Sequence, residues 1–153
     1  MSSQKSDSTV SKVPMSLEVH VIPVADVERS RRFYLQLGWR LDEDVTPSSN
    51  VRIIQFTPPG SACSVTFGMG VIASAPGTAV GALIVPDIRA THQELSRRDI
   101  AVSDMWHGAP FPPEARLPGP DPARTSYGSF FAFADPDGNG WLVQEVTTRR
   151  PGR

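Results

Sequence analysis

The chain is poor in the features that usually announce a chemistry. It has one cysteine, Cys63, so no disulfide forms within it and no cysteine-cluster zinc site is available. It has no surplus of either charge: 15 Lys and Arg against 16 Asp and Glu give a net charge of −1. A near-neutral chain has no overall electrostatic reason to bind nucleic acid. No apolar run approaches the length of a membrane span. The opening MSSQKSDSTVSKVP lacks the apolar core of a secretory signal. A cytoplasmic protein is therefore expected, with neither nucleic acid nor membrane as partner. What the chain does have is length. With 153 residues, 39% of them hydrophobic, it can bury a core without disulfides or structural metal.

Residues 1–14 are polar and cannot bury enough apolar surface to offset their ordering, so a disordered tail is expected there. Residues 149–153 read the same way. Between them the pattern alternates. LEVHVIPV reads as a strand, and Asp26 then caps a helix whose inner stripe is Val27, Ser30, Phe33, Tyr34 and Leu37. Gly38 ends that helix in the left-handed region. WRLDEDV, VRIIQFTPPG and CSVTFGMGV read as three further strands. TAVGALIVPDI then starts the order again, with Asp87 as cap, a helix of roughly residues 88–98 and Asp99 at its end. IAVSDMW reads as a strand, and GSFFAFADPDGNGWLVQEV as a hairpin around a DPDGNG turn.

The two halves repeat at an offset of 61 residues: Val24, Asp26, Val27 and Ser30 fall on Val85, Asp87, Ile88 and Thr91. The expected fold is α+β, two βαβββ modules of about residues 15–72 and 78–148 in one domain of residues 15–148. One such unit cannot cover both faces of its sheet, whereas two side by side form a curved sheet around a cleft. The connection of residues 108–126 interrupts the second unit. Its six prolines argue against helix and ladder pairing and fit a stiff binding loop.

Three segments, VIPVADVERSRRFYLQLGWRL, GALIVPDIRATHQEL and FADPDGNGWLVQEV, resemble the vicinal oxygen chelate superfamily, which includes glyoxalase I, extradiol dioxygenases, and fosfomycin and bleomycin resistance proteins. The resemblance runs from about Leu17 to Val146 and implies the same paired modules, commonly in a homodimer. In catalytic members a divalent metal is held in the cleft by His, Gln or Glu. The matching positions here are Val19, Val80 and Leu142, and residues 61–72 contain no Asp, Glu or His. His20 and Glu145 lie one and three residues from ligand positions, odd offsets that turn a strand side chain to the other face. No metal and no other cofactor is therefore expected.

By the same alternation Val19, Val21, Val80, Ala82, Ile84, Leu142, Gln144 and Val146 face inward, making an apolar hollow with one amide. Candidates for acid–base chemistry are His107, Tyr127 and Gln144. Candidates for ligand contact are Val19, Val21, Arg52, Val80, Ala82, Trp106, Arg124, Ser129 and Leu142. His107 sits where a strand enters the Pro-rich loop and is a candidate general base. Arg124 suits an anionic group and Tyr127 can stack or donate a proton. His92, Cys63 and the arginines of the first helix carry no such signal, and Asp135 and Asp137 read as a turn rather than a calcium loop. The expected function is binding of a small, largely apolar or aromatic molecule without metal. A glyoxalase-like lyase or isomerase, or a dioxygenase, is the alternative.

Overall fold

The computed structural model describes residues 9–109 and 112–151. Residues 1–8 of the expected tail, and Pro110 and Phe111 in the Pro-rich connection, lie outside the described residues. The chain forms β1 (Val19–Val21), α1 (Val27–Gln36), β2 (Arg40–Ser48), β3 (Val51–Thr57), β4 (Ser64–Met69), β5 (Val80–Val85) and α2 (Ile88–Arg97), then β6 (Trp106–Gly108), β7 (Arg116–Pro118), β8 (Ser129–Ala134) and β9 (Gly140–Glu145). These make two mixed sheets of order β1-β4-β3-β2 and β5-β9-β8-β6-β7. Each begins with a parallel pair, β1 on β4 and β5 on β9, and continues antiparallel. The fold is α+β, two modules of one plan, with β7 as an addition to the second.

The repeat is visible atom by atom at the helix starts. Asp26 and Asp87 are both extended, and each accepts from the backbone N–H three residues on, Arg29 at 3.0 Å and Ala90 at 3.1 Å. The helices end on left-handed residues, Gly38 (φ +83°) and Asp99 (φ +60°). Tyr34 and Leu37 of the first helix stripe are buried with Ile54, Phe56 and Phe67, and Ile88 and Leu95 with Phe131, Phe133 and Val143.

Two local expectations are corrected. IAVSDMW is not a continuous strand: Val102 makes an isolated bridge to Phe133, and β6 starts only at Trp106. Ser103 interrupts it, its hydroxyl oxygen accepting from the Ala132 N–H at 2.9 Å in place of a backbone partner. The Pro-rich connection does pair. A 3₁₀ turn at Pro113–Ala115 leads into β7, which lies antiparallel to β6 at the edge of the sheet. On an edge strand the missing N–H of Pro118 can face away from the ladder at no cost.

The modules are joined by a buried polar knot. The Tyr34 hydroxyl donates to Asp135 at 2.9 Å and accepts from the Trp141 indole N–H at 3.1 Å. Asn139 donates from its amide to Asp135 and to the Pro23 carbonyl, both at 2.8 Å, and accepts from the Ala79 N–H. Asp137 receives Arg29 at 2.8 Å and the Ala25 N–H. The DPDGNG turn of the second module is thus bonded to the start of the first helix. Rings pack around it: Trp39 meets Trp141 edge-on at 5.2 Å and Tyr34 at 5.3 Å.

Burial, and then the Asp135 charge, holds the Tyr34 phenol far above its ordinary value of 10.0. Below pH 10 both folded and unfolded chains keep this proton. Above it the unfolded chain releases it first, so stability falls as pH rises past about 10. Urea unfolding across pH 8 to 11 should show this decline, and Tyr34→Phe should remove the Tyr34 part of it. At neutral pH the same variant should lose about 1–3 kcal/mol, because Asp135 loses a buried donor. An unchanged midpoint and slope would mean that the hydroxyl carries no weight in the knot.

Candidate functional site

The edge strands β1 and β5 belong to different sheets, and a slot of about 310 Å³ lies between them. Val19, His20, Ser64, Val80, Ala82, Leu83 and Trp141 are among its walls, so His20, expected from strand alternation to face away, borders the slot. Register shows how the faces divide. Val19 stands opposite Ser64 and Val21 opposite Thr66 in the first sheet. In the second, Ala82 stands opposite Leu142, while Ile84, Gln144, Phe130 and Trp106 follow one another across four strands. Directly paired residues share a face. Leu83, Val85, Val143, Phe131 and Phe133 take the alternate positions. Phe130 and Trp106 of the first set are buried with Phe131, Phe133 and Val143 of the second, and the first set is open only toward β5, where Val80 is 71% exposed and Ile84 46%.

One polar feature of this region has no counterpart in the residues singled out from sequence. Thr57 donates its hydroxyl to Asp42, which also receives Arg40. The Ser64 hydroxyl lies 2.7 Å from that of Thr57, and both residues are buried. The Thr57 hydroxyl, followed by Arg40, holds the Asp42 carboxyl below the usual carboxylate range. Ser64, Thr66 and Thr57 read in sequence as ordinary strand residues. The available signal was the period-two alternation of Ser64 and Thr66 with Val65 and Phe67.

The residues expected to act on a ligand are dispersed. Val19, Val80 and Ala82 border the slot; Val21 and Leu142 share its faces. Arg52 does not reach it: two nitrogens meet Asp44 at 2.9 Å and a third meets Glu28 of α1 at 2.6 Å. It occupies the face that carries Ile54, two residues on, and so packs toward the helix. His107 alternates with Trp106, which puts it on the side of Ser129, and its Nδ1 lies 2.7 Å from the Gly119 carbonyl oxygen. Ser129 is buried and accepts from the Asp121 N–H. Tyr127, left-handed at φ +68°, accepts from the Arg150 N–H at its hydroxyl. Gln144 donates its amide to the Tyr127 carbonyl at 3.0 Å. Trp106 is stacked between Phe130 and the Arg116 guanidinium, and its indole donates to the Ala109 carbonyl. It borders a depression of about 620 Å³ at the far edge of the second sheet, away from the module junction.

The family's metal does not fit the residues present. Val19, Val80 and Leu142 offer no donor atoms. Glu145 is buried on the opposite face, where it accepts from the Ile88 N–H at the start of α2 at 2.9 Å and from Arg124 at 3.2 Å. His20 stands edge-on to Trp141 at 6.3 Å, its Nε2 buried without a hydrogen-bond partner among the described residues. Among the described residues no three of His, Cys, Asp or Glu gather in a way that holds a metal ion.

A family model described as bleomycin resistance protein-like N-terminal matches residues 19–53. Solved structures match nearly end to end. TnmS3, an antibiotic binding protein from Streptomyces sp. CB03234, is 25% identical with a TM-score of 0.63, over 87% of this chain and 97% of its own. A glyoxalase/bleomycin resistance protein from the same organism is 27% identical at 0.60, over 84% and 99%. The chain has the fold of the vicinal oxygen chelate superfamily. A member of the glyoxalase/bleomycin resistance protein/dioxygenase superfamily from Sphaerobacter thermophilus DSM 20745 shares the fold at 24% identity and a TM-score of 0.62, over 86% and 98%. No curated protein matches the chain.

Two outcomes follow from this geometry. Native mass spectrometry with added Ni²⁺, Zn²⁺, Fe²⁺ or Mn²⁺ should give no stoichiometric metal adduct; a one-to-one adduct would show that His20, which borders the slot, gathers further donors there or that Glu145 turns to it. Arg124→Ala should speed proteolytic cleavage in residues 108–126, because Arg124 bonds that connection to Glu145 and to the Pro86 carbonyl. An unchanged cleavage rate would show that the bond does not hold the connection.

Proposed function

We propose that the protein binds a small, largely apolar or aromatic organic molecule between its two modules, without metal and without turnover. The observation that carries this reading is the largely apolar slot walled by Val19 and Val80, which fill two of the family's ligand positions, with Leu142, at a third, opposite the slot's Ala82. Apolar walls with few placed polar groups are the usual form of a small-molecule site. The relative named as an antibiotic binding protein supports it. The groups suited to acid–base chemistry do not favour the lyase, isomerase or dioxygenase alternative. His107, Tyr127 and Gln144 bond to Gly119, Arg150 and Tyr127 respectively, so none is poised against another over the slot.

The protein acts as a homodimer in the cytoplasm in this proposal. Exposed apolar side chains on β5, and Val13, Met15 and Leu17 ahead of β1, support a partner copy. No helix among the described residues is long and apolar enough to cross a membrane.

The experiment is native mass spectrometry of the untagged protein, followed by binding of aromatic probes read by amide NMR. A dimer carrying an organic compound, with probe shifts at residues 19, 64, 80 and 82, is expected. Ala82→Phe should weaken probe binding by about tenfold or more by filling the slot, with the fold retained in the amide spectrum. Undiminished binding by that variant would move the site elsewhere.

A further inference from the structure

The polar groups bonded to Ser64 at the slot's wall are not interchangeable, and their protons can be counted. Asp42, ionised and facing Arg40, only accepts hydrogen bonds. Thr57 has a single hydroxyl proton, and it goes to Asp42. The contact between Thr57 and Ser64 at 2.7 Å then needs its proton from Ser64. With that proton committed, Ser64 Oγ has only lone pairs left to offer. Its backbone N–H is also spent, on the Glu18 carbonyl. The neighbouring donors are turned inward as well: the Ser61 hydroxyl donates to the Cys63 carbonyl at 2.6 Å, and the Cys63 thiol to the Ser64 carbonyl at 3.5 Å. Val19, Val80, Ala82 and Leu83 carry no polar side-chain atoms, the Trp141 indole N–H is bonded to Tyr34, and His20, the other polar side chain at the slot, keeps a buried Nε2 without a hydrogen-bond partner among the described residues. Ser64 therefore borders the slot as an oriented acceptor, polarised through Thr57 by a carboxylate.

We propose that Ser64 Oγ accepts a hydrogen bond from the bound molecule, and that the ligand class is an aromatic or apolar compound bearing a hydroxyl or N–H donor, of which a phenol is the simplest form. This rests on the slot being the ligand site. The fixed direction of the relay makes it selective: a ligand presenting an ether or carbonyl oxygen at the same place meets lone pairs with lone pairs.

The test uses two probes of nearly equal shape, 1-naphthol and 1-methoxynaphthalene, titrated into the full chain with amide NMR reporting both location and affinity. Naphthol is expected to bind about tenfold more tightly, the worth of one good hydrogen bond. In Ser64→Ala the ratio should fall to near one. In Thr57→Val, of similar shape, Ser64 is released to turn its proton toward the ligand; the ratio should fall, with the ether binding as well as before or better. A variant that merely loosens the fold weakens both probes together and leaves the ratio in place. Equal wild-type affinities with shifts at the slot would overturn the acceptor and leave the binding reading standing. A ratio unchanged in Thr57→Val would overturn the relay. Shifts absent from residues 19, 64, 80 and 82 for both probes would remove the slot as ligand site, and the proposal with it.

Discussion

A buried carboxylate, that of Asp135, is the group on which the arrangement of the two modules depends. Charge held away from water is tolerated only where donors meet it. Here they come from both modules: the Tyr34 hydroxyl from α1, and the Asn139 amide and the backbone N–H groups of Asp137 and Asn139 from its own turn. Separating the modules would strip Asp135 of Tyr34 and expose Trp39 and Trp141 together. The segment V-x-D-x-x-x-S-x-x-FY and the late DPDGN turn are thus two sides of one contact, although Tyr34 and Asp135 are 101 residues apart. Ser30 completes the match, its hydroxyl 3.5 Å from Asp137.

The slot is a consequence of that contact. Tying the DPDGNG turn to the entry of α1 brings β1 and β5 near each other, yet the two strands belong to separate sheets with no ladder between them. The space left is bounded by side chains whose direction the parallel pairs set. Val19 with Ser64, and Ala82 with Leu142, are cross-strand neighbours, so a slip of one residue in either module would turn Val19, Ser64 or Ala82 to the other face.

How far this was legible in sequence depended on whether the governing partner was local. Asp26 and Asp87 act on N–H groups three residues away, and their positions, the helix stripes and the repeat could be read directly. The facing of Glu145 was readable because strand alternation needs only a count; that of His20 was not, because the slot opens at the edge of β1 and takes side chains from both of its faces. Arg52 was not: its partners Glu28 and Asp44 lie on another helix and another strand, and nothing near Arg52 in sequence names them. His107 failed for a related reason. The ladder through Trp106 and Phe130 sets its face, and that register was not visible beside a loop so rich in proline. Thr57 and Ser64 are seven residues apart on adjoining strands, and Asp42 enters from a third, so the relay exists only in the folded sheet.

The same alternation explains why a carboxylate so near the family's ligand positions serves another end. On its face of β9, Glu145 meets the unsatisfied N–H of Ile88 and the cation of Arg124, and so holds the end of the Pro-rich connection. No residue can do that and reach the slot as well. With aliphatic groups in the ligand positions, affinity must come from area and from few hydrogen bonds. An aromatic ligand that buries about 200 Å² gains on the order of 5 kcal/mol from its apolar surface before the costs of association, a sub-millimolar affinity at best. One acceptor adds roughly a factor of ten. Tighter retention requires more of the ligand to be covered than one chain achieves with Val80 and Ile84 open to solvent. In the proposed dimer a second copy supplies that cover, which makes association part of binding rather than a separate property of the protein.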